Sequence, residues 1–316
     1  MSRPLRIHSP AVYYFDMVCR SRSIREAARQ LNVASSAVNR QILKLEHELG
    51  VPLFDRLPAG LQLTSAGETL ARHVKLVLQD AERARSELDA MQGLRTGHVE
   101  IATVEGPTVD LLPNLLMRLR ERYPRVTVGV TTLGSTAIPE AVVSGAADIG
   151  LAFALPRTAD LNQMAVGHFR LGALVNATHP LAGRQDVSFA TCAEHVLILA
   201  KSELSIHHLL KPILARHAQR LRPVIESNSV ELSRQLVRRG MGVAFQTRIG
   251  VEADRHSGQL QHLPLNDNGG VFSDLGVYVR SGRYLPVAVD AFVRALGEEI
   301  ARLELAEAQE VEAQRG

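Results

Sequence analysis

Residues 23–67 read SIREAARQLNVASSAVNRQILKLEHELGVPLFDRLPAGLQLTSAG, and the succession of caps, apolar spacings and turns in this stretch frames the rest of the chain. Ser23 and Glu26 stand at capping-box spacing, so a helix over Ile24–Leu31 is predicted, with small Ala27 and Ala28 on its packing face. Asn32-Val33 makes a short break. A further helix opens at Ala34-Ser35-Ser36, carries Val38, Ile42, Leu45 and Leu49 at intervals of three and four residues, and stops at Gly50. An earlier helix is expected near Pro10–Arg20, where Tyr14 and Val18 recur at helical spacing. Two helices joined by so short a turn match a helix-turn-helix, whose second helix enters the major groove. The apolar stripe turns Ser35, Ser36, Asn39 and Arg40 away from the core. These are hydrogen-bonding types short enough to approach base edges, and Asn can pair with adenine through two bonds. An ordinary solvated face, with Ser35 as a plain N-cap, fits the same spacing.

Downstream, Pro58-Ala59-Gly60 reads as a turn and Leu61-Gln62-Leu63 as a short strand, giving a small hairpin, or wing, beside the recognition helix. Arg56 near its tip is placed to reach a phosphate or a minor groove; the alternative is a surface arginine paired with Asp55. Ser65 and Glu68 repeat the capping-box spacing and open the longest helix. Leu70, Val74, Val77, Ala81, Ala84, Leu88 and Met91 then follow at alternating steps of four and three residues, with charged residues between them. Such a narrow stripe has nothing nearby in its own chain to cover it, so it is read as a dimerisation seam rather than as packing on the head.

Charge agrees with this division. Residues 1–60 hold nine Lys/Arg against five Asp/Glu, whereas the remainder holds 27 against 28, so a basic head sits on a near-neutral body. That imbalance favours a polyanionic partner for the head. With 46% apolar residues in a chain of 316, wholesale disorder is excluded, and two domains are expected. Two cysteines, Cys19 and Cys192, cannot build a disulfide framework or a four-cysteine zinc site. No stretch has the ~18 uninterrupted apolar residues of a membrane helix, and no signal peptide is legible, so a soluble, cytoplasmic protein is expected.

A larger α/β domain is predicted over residues 96–303. Strand, helix, strand, helix, strand alternate from His98 to Phe153, and a second set runs from Leu171 to Gln246. Leu275–Val279 and a helix over Pro286–Leu303 complete it, and residues 304–316 read as a polar tail that does not pack.

The chain resembles the LysR-type transcriptional regulators over almost its whole length. Ala27-Ala28 and Leu31, then Gln41, Leu45-Glu46, Leu49-Gly50, Leu53-Phe54, Arg56, Leu63-Thr64 and Ala66-Gly67 carry the resemblance most densely. LLPNLLMRL, YPRV, VSGAADIGLAF, HPLAG and RRGMGVAF extend it through the body. The resemblance implies a winged helix-turn-helix over 1–64, a dimerising linker helix over 65–95, and a two-lobed effector domain like that of periplasmic binding proteins. Lobe one would comprise about 98–166 and 272–303, and lobe two about 167–271. It implies an operator-DNA partner touched by Ser35, Ser36, Asn39, Arg40, Gln41, Lys44 and Arg56. It further implies a small-molecule effector, a homodimer that pairs into a dimer of dimers, an effect on RNA polymerase, no cofactor and no metal. Where the family often has Ser-Gln-Pro, this chain has Ala34-Ser35-Ser36, and Asn39 replaces a frequent serine, so operator preference does not carry over.

In a lobed α/β domain ligands bind at the carboxyl ends of the strands. The resemblance implies that Thr103, Glu105, Thr108, Ser135, Thr136, Phe153, Ser202, Ser205, Asn228 and Ser229 converge as effector-pocket residues, whereas each helix start taken singly reads as a simple N-cap. Glu105 stands where relatives frequently have a serine or threonine. Facing the crevice it would repel a carboxylate, which points to an effector other than a plain dicarboxylate; facing solvent it would be an acid favoured by a helix dipole. An enzyme is the rival class, but no nucleophile elbow, HExxH, Walker loop or GxGxxG occurs. His207 and His208 are adjacent on a helix and diverge by about 100°, which suits poorly a shared metal. A free-standing solute-binding protein is the second rival and would have no use for a helix-turn-helix head.

Overall fold

A computed structural model describes residues 7–57, 60–91, 96–217, 223–282 and 284–315. The chain divides into two compact units, residues 1–94 and 95–316.

The first unit contains helices α1 (Pro10–Ser21), α2 (Ile24–Leu31) and α3 (Ser35–Leu49), strands β1 (Phe54–Leu57) and β2 (Gly60–Leu63), and the long helix α4 (Ser65–Met91). Phe15, Val18, Ala27, Ala28, Val38, Ile42 and Leu53 form its core, so the apolar stripes of all three short helices converge. Ser23 caps α2 by accepting from the Glu26 amide, but the reciprocal half of the box is absent: the Glu26 carboxylate is taken by Arg29 and Gln30. Gly50 ends α3 in a left-handed conformation (φ 70°). β1 and β2 pair antiparallel, with Arg56 opposite Leu61; Pro58 and Ala59 of the expected turn lie outside the described residues. The cap of α4 is Thr64 rather than Ser65, since the Thr64 hydroxyl accepts from the Gly67 amide at 3.0 Å. A Cβ on Gly67 would stand 2.1 Å from the Leu53 carbonyl oxygen, which is how closely α4 approaches the wing.

The expectation that nothing in the chain covers the α4 stripe is corrected at its beginning. Val74 is buried in the head core, and Leu70 packs against it, because α1 lies alongside the first turns of α4. Beyond these turns Val77 and Ala84 are half-buried, Ala81 is buried and Leu88 is 54% exposed. The Met91 side chain lies outside the described residues.

The second unit has two lobes. Lobe one begins with β3 (Thr96–Thr103), α5 (Leu111–Arg122), β4 (Arg125–Thr132), α6 (Ile138–Val143), β5 (Ile149–Phe153) and β6 (Leu161–Arg170). Lobe two follows with β7 (Gly172–Asn176), α7 (Phe189–Cys192), β8 (Leu197–Ala200), α8 (Ser205–His217), β9 (Pro223–Ser227), α9 (Val230–Arg238), β10 (Ala244–Gln246), α10 (Glu252–His256) and β11 (Leu260–Pro264). The chain returns to lobe one in β12 (Phe272–Arg280) and α11 (Val287–Arg315). Lobe one is a five-stranded sheet in the order β4-β3-β5-β12-β6, its first three strands parallel and β12 antiparallel to both neighbours. Lobe two combines an antiparallel β10-β7-β11 sheet with a parallel β8-β9 pair. The first crossover falls after β6 rather than at residue 166: Phe169 belongs to the core of lobe one and Leu171 to that of lobe two.

Residues 304–315 are not an unpacked tail. They continue α11, which lies over the edge strand β6. Edge strands carry unpaired amides, and here Glu304 accepts from the His168 amide at 3.0 Å and Glu307 from the Arg170 amide at 2.9 Å. Glu310, one turn on, pairs with Arg248 and Arg255 of lobe two. The acids that look solvated in sequence are the helix's contacts.

Candidate DNA-reading face and effector crevice

The recognition helix owes its orientation to Val38 and Ile42, which are buried against α1 and α2. With that stripe inward, Ser36, Arg40 and Lys44 form an exposed ridge at spacings of four residues. Ser35 is exposed beside it, while Asn39 and Gln41 are half-buried on the flanks. Leu49, expected on the inner stripe, is 48% exposed, because the helix outlasts the head core. Among the described residues the side chains of Ser35, Ser36, Asn39, Arg40 and Gln41 have no hydrogen-bond partner or ion pair, and Lys44 has only Glu48 at 3.6 Å. The N-cap position is Ala34, which provides no side-chain cap, so the first amides of α3 are open to an outside acceptor. The wing is anchored by Glu46, whose carboxylate accepts from the amides of Leu53 (2.8 Å) and Phe54 (3.3 Å). Arg56 is exposed on that wing, and the described residues offer it no ion pair; Asp55 does not pair with it.

Between the lobes of the second unit the crevice is nearly closed. Its cavity of about 30 Å³ has room for little more than a water molecule. Glu105, Ser135, Phe153 and Ser205 line it, four of the ten residues expected there. Ser229 lies in contact with Glu105. Thr103 is buried, but its hydroxyl donates to the Val104 carbonyl, and Thr108 donates to the Glu105 carbonyl at 2.6 Å, so both are turned to local bonds. Thr136, Ser202 and Asn228 are exposed and outside the cavity wall. The remaining wall includes Gln246, Thr247 and Ser273, which the sequence reading missed. Gln246 and Thr247 stand at the carboxyl end of β10, so the strand-end rule that selected the others would have found them.

Glu105 does face the crevice, and it is fully engaged there. Its carboxylate reaches across the lobes to the N-terminus of α9, accepting from the Val230 amide at 2.7 Å, the Glu231 amide at 3.1 Å and the Ser229 hydroxyl at 3.1 Å. A helix N-terminus favours negative charge and has unsatisfied amides; here the protein's own carboxylate takes that place. The backbones close in behind it. A Cβ on Gly250 (φ 86°) would stand 2.5 Å from the Gly106 carbonyl oxygen, so that position requires glycine for both space and conformation.

Residues 11–68 match the bacterial regulatory helix-turn-helix protein of the lysR family, and residues 92–301 match the LysR substrate binding domain. The chain belongs to the LysR family of transcriptional regulators. It is thus a sequence-reading regulator with a helix-turn-helix head and an effector-binding domain, and nothing favours the reading as a solute-binding protein without a DNA role. This LysR-type chain is 26% identical over 289 residues to the HTH-type transcriptional regulator CbbR of Rhodospirillum rubrum, covering 92% of this chain and 95% of the relative. It is 24% identical to a RuBisCO operon transcriptional regulator of Allochromatium vinosum, again covering 92% and 95%. Its fold resembles a full-length OxyR variant from Pseudomonas aeruginosa (TM-score 0.72, 18% identity, 93% and 95% of the two chains). It also resembles full-length CbnR in complex with its target DNA (TM-score 0.64, 20% identity, 92% and 98%). Among the described residues, no helix of this LysR-type regulator is long and apolar enough to cross a membrane.

Proposed function

We propose that the chain acts in the cytoplasm as a homodimer, pairing into a dimer of dimers, that grips an operator with two copies of α3. Ser35, Ser36, Asn39, Arg40, Gln41 and Lys44 face the major groove, and Arg56 on the wing meets the phosphate backbone. The observation that carries this reading is the set of donors on α3, Ser35, Ser36, Asn39, Arg40 and Gln41, that find no partner among the described residues of their own unit, next to a helix N-terminus with no internal cap. The dimer seam is the later part of α4, from Val77 through Ala81 and Ala84 to Leu88 and Met91, while Leu70 and Val74 hold the helix to its own head. Effector binding between the lobes alters the dimer geometry and, through the α4 helices, the spacing of the two recognition helices on bent DNA, and with it the access of RNA polymerase.

The crevice selects its ligand by charge. With Glu105 on the amides of α9, an incoming carboxylate meets a carboxylate already in place, so the effector is a neutral or cationic molecule, or one that displaces Glu105. Footprinting of fragments selected from genomic DNA tests the DNA assignment. Arg56→Ala should lower affinity on every fragment alike and reduce the slope of log K against log salt by about one. An unchanged slope would remove Arg56 from the interface.

A further inference from the structure

A second, larger cleft lies along the C-terminal helix and shares Ile249 with the crevice wall. It measures about 410 Å³ and runs between α5 and α11 of lobe one and the Arg248–His256 stretch of lobe two. This volume is in the range of small-molecule sites. Part of its wall is apolar, from Leu111, Phe169, Ile249 and Leu303.

The polar part of the wall is unbalanced in a definite sense. Its arginines are committed: Arg248 binds Glu252 and Glu310, and Arg302 binds Glu299. Two of its carboxylates each keep one oxygen without a donor. Glu307 is only 6% exposed; one of its oxygens accepts from the Arg170 amide, and the other, Oε2, is buried without a partner. Asp110, half-buried on this wall, accepts from the Glu252 backbone, and its Oδ2 has no donor. Burial raises both carboxyl groups above their ordinary values, and the arginines in the neighbourhood offset only part of the lost hydration. A buried acceptor without a donor is costly, and a cleft with spare acceptors and no spare cation is complementary to a cationic donor.

We propose that this cleft binds a small organic cation: a primary ammonium group bonded to Glu307, on an apolar body lying against Phe169, Ile249 and Leu303. Because the walls come from both lobes, such a ligand fixes their relative position and acts as a second input besides the crevice effector.

Calorimetry on the full-length protein at pH 7, with benzylamine as the probe and benzyl alcohol and benzoate as isosteric controls, tests this. Benzylamine should bind saturably at about 1 mM, the strength its eight non-hydrogen atoms allow, and both controls at least about tenfold more weakly. Glu307→Gln, which keeps the acceptor for Arg170 but removes the charge, should weaken benzylamine about tenfold or more. Ala306→Phe, which fills the cleft, should abolish binding; circular dichroism and the melting temperature confirm that each variant is folded. No saturable benzylamine binding to the native protein, equal binding of benzyl alcohol, or binding unchanged in both folded variants would each overturn the proposal.

Discussion

Two helix N-termini in this molecule have opposite fates. At α3 the cap position is Ala34, no side chain of the protein covers the first amides, and the neighbouring Ser35, Ser36 and Arg40 are exposed and unpartnered among the described residues. At α9 the same kind of terminus is capped twice, by Ser229 on the Leu232 amide and by Glu105 on the Val230 and Glu231 amides. The electrostatics of the two ends are alike, since each concentrates partial positive charge and free N–H groups. What differs is whether the chain supplies its own anion. An open end is available to the phosphates of an external polyanion, whereas a filled end holds two lobes together and discriminates against anions that would compete for it.

Removing the internal anion at α9 should have the largest effect on stability. Glu105→Ala leaves the Val230 and Glu231 amides without their acceptor, and a cost of about 2 kcal/mol is expected, discounted because the site is only part-buried. For a unit of this size that lowers the melting temperature by about 6 °C. Differential scanning calorimetry checks it, and the same variant should be restabilised by millimolar acetate while the native protein is not. Equal acetate responses would dissolve the contrast between the two termini.

Adding an internal anion at α3 is the converse. Ala34→Asp supplies the missing N-cap and should stabilise the head by about 1 kcal/mol. It should nevertheless weaken operator binding by about tenfold, because the new carboxylate sits where phosphate oxygens are expected. Thermal melts and mobility shifts on one protein sample read both signs together. Tighter DNA binding by this variant would break the comparison.

A smaller, pH-dependent effect separates Glu307 from Glu105, since one has an oxygen without a donor and the other is saturated with donors. Burial raises the Glu307 carboxyl above its ordinary value near 4.5. The folded state therefore holds its proton to higher pH than the unfolded chain, and stability falls as pH rises from about 4.5 through the folded value. Glu307→Gln should raise the melting temperature at pH 8 and leave it unchanged at pH 4. A gain of the same size at both pH values would mean that charge is not the cause.

How much of this was legible in the sequence follows from what each residue does. Many of the motif residues in 23–67 are framework: Leu53 is buried, Gly67 lies against its carbonyl, and Glu46 and Thr64 pin the wing and the start of α4. Local packing constraints of this kind leave a dense pattern, so the head could be read almost element by element. The reading face was legible only by exclusion, as the polar side of a helix whose other side is committed to the core. β6 is not legible because its apolar residues Leu161, Met164, Ala165, Val166 and Phe169 follow no period of two, and Met164 and Val166 are exposed. Its Gly167 is buried under α11, where a Cβ would meet Ile300 at 2.5 Å, so an inward position carries no apolar side chain. The C-terminal turns of α11 were misread for a related reason. Glu304, Glu307 and Glu310 find their partners more than fifty residues away in sequence, and nothing local distinguishes them from solvated acids. The crevice was half legible. Strand ends mark its rim, but that Glu105 would reach α9 depends on how two lobes close, which no spacing encodes.

The central claim is that the exposed ridge of α3, with Arg40 at its centre, reads DNA. The direct measurement is the binding of full-length protein and of Arg40→Ala to genomic fragments recovered with the native protein, at two salt concentrations. The account predicts that Arg40→Ala loses about tenfold or more on recovered fragments and much less on unrelated duplex, with an unchanged melting temperature, because Arg40 has no polar partner in its own unit. Native affinity of Arg40→Ala for the recovered fragments would contradict it.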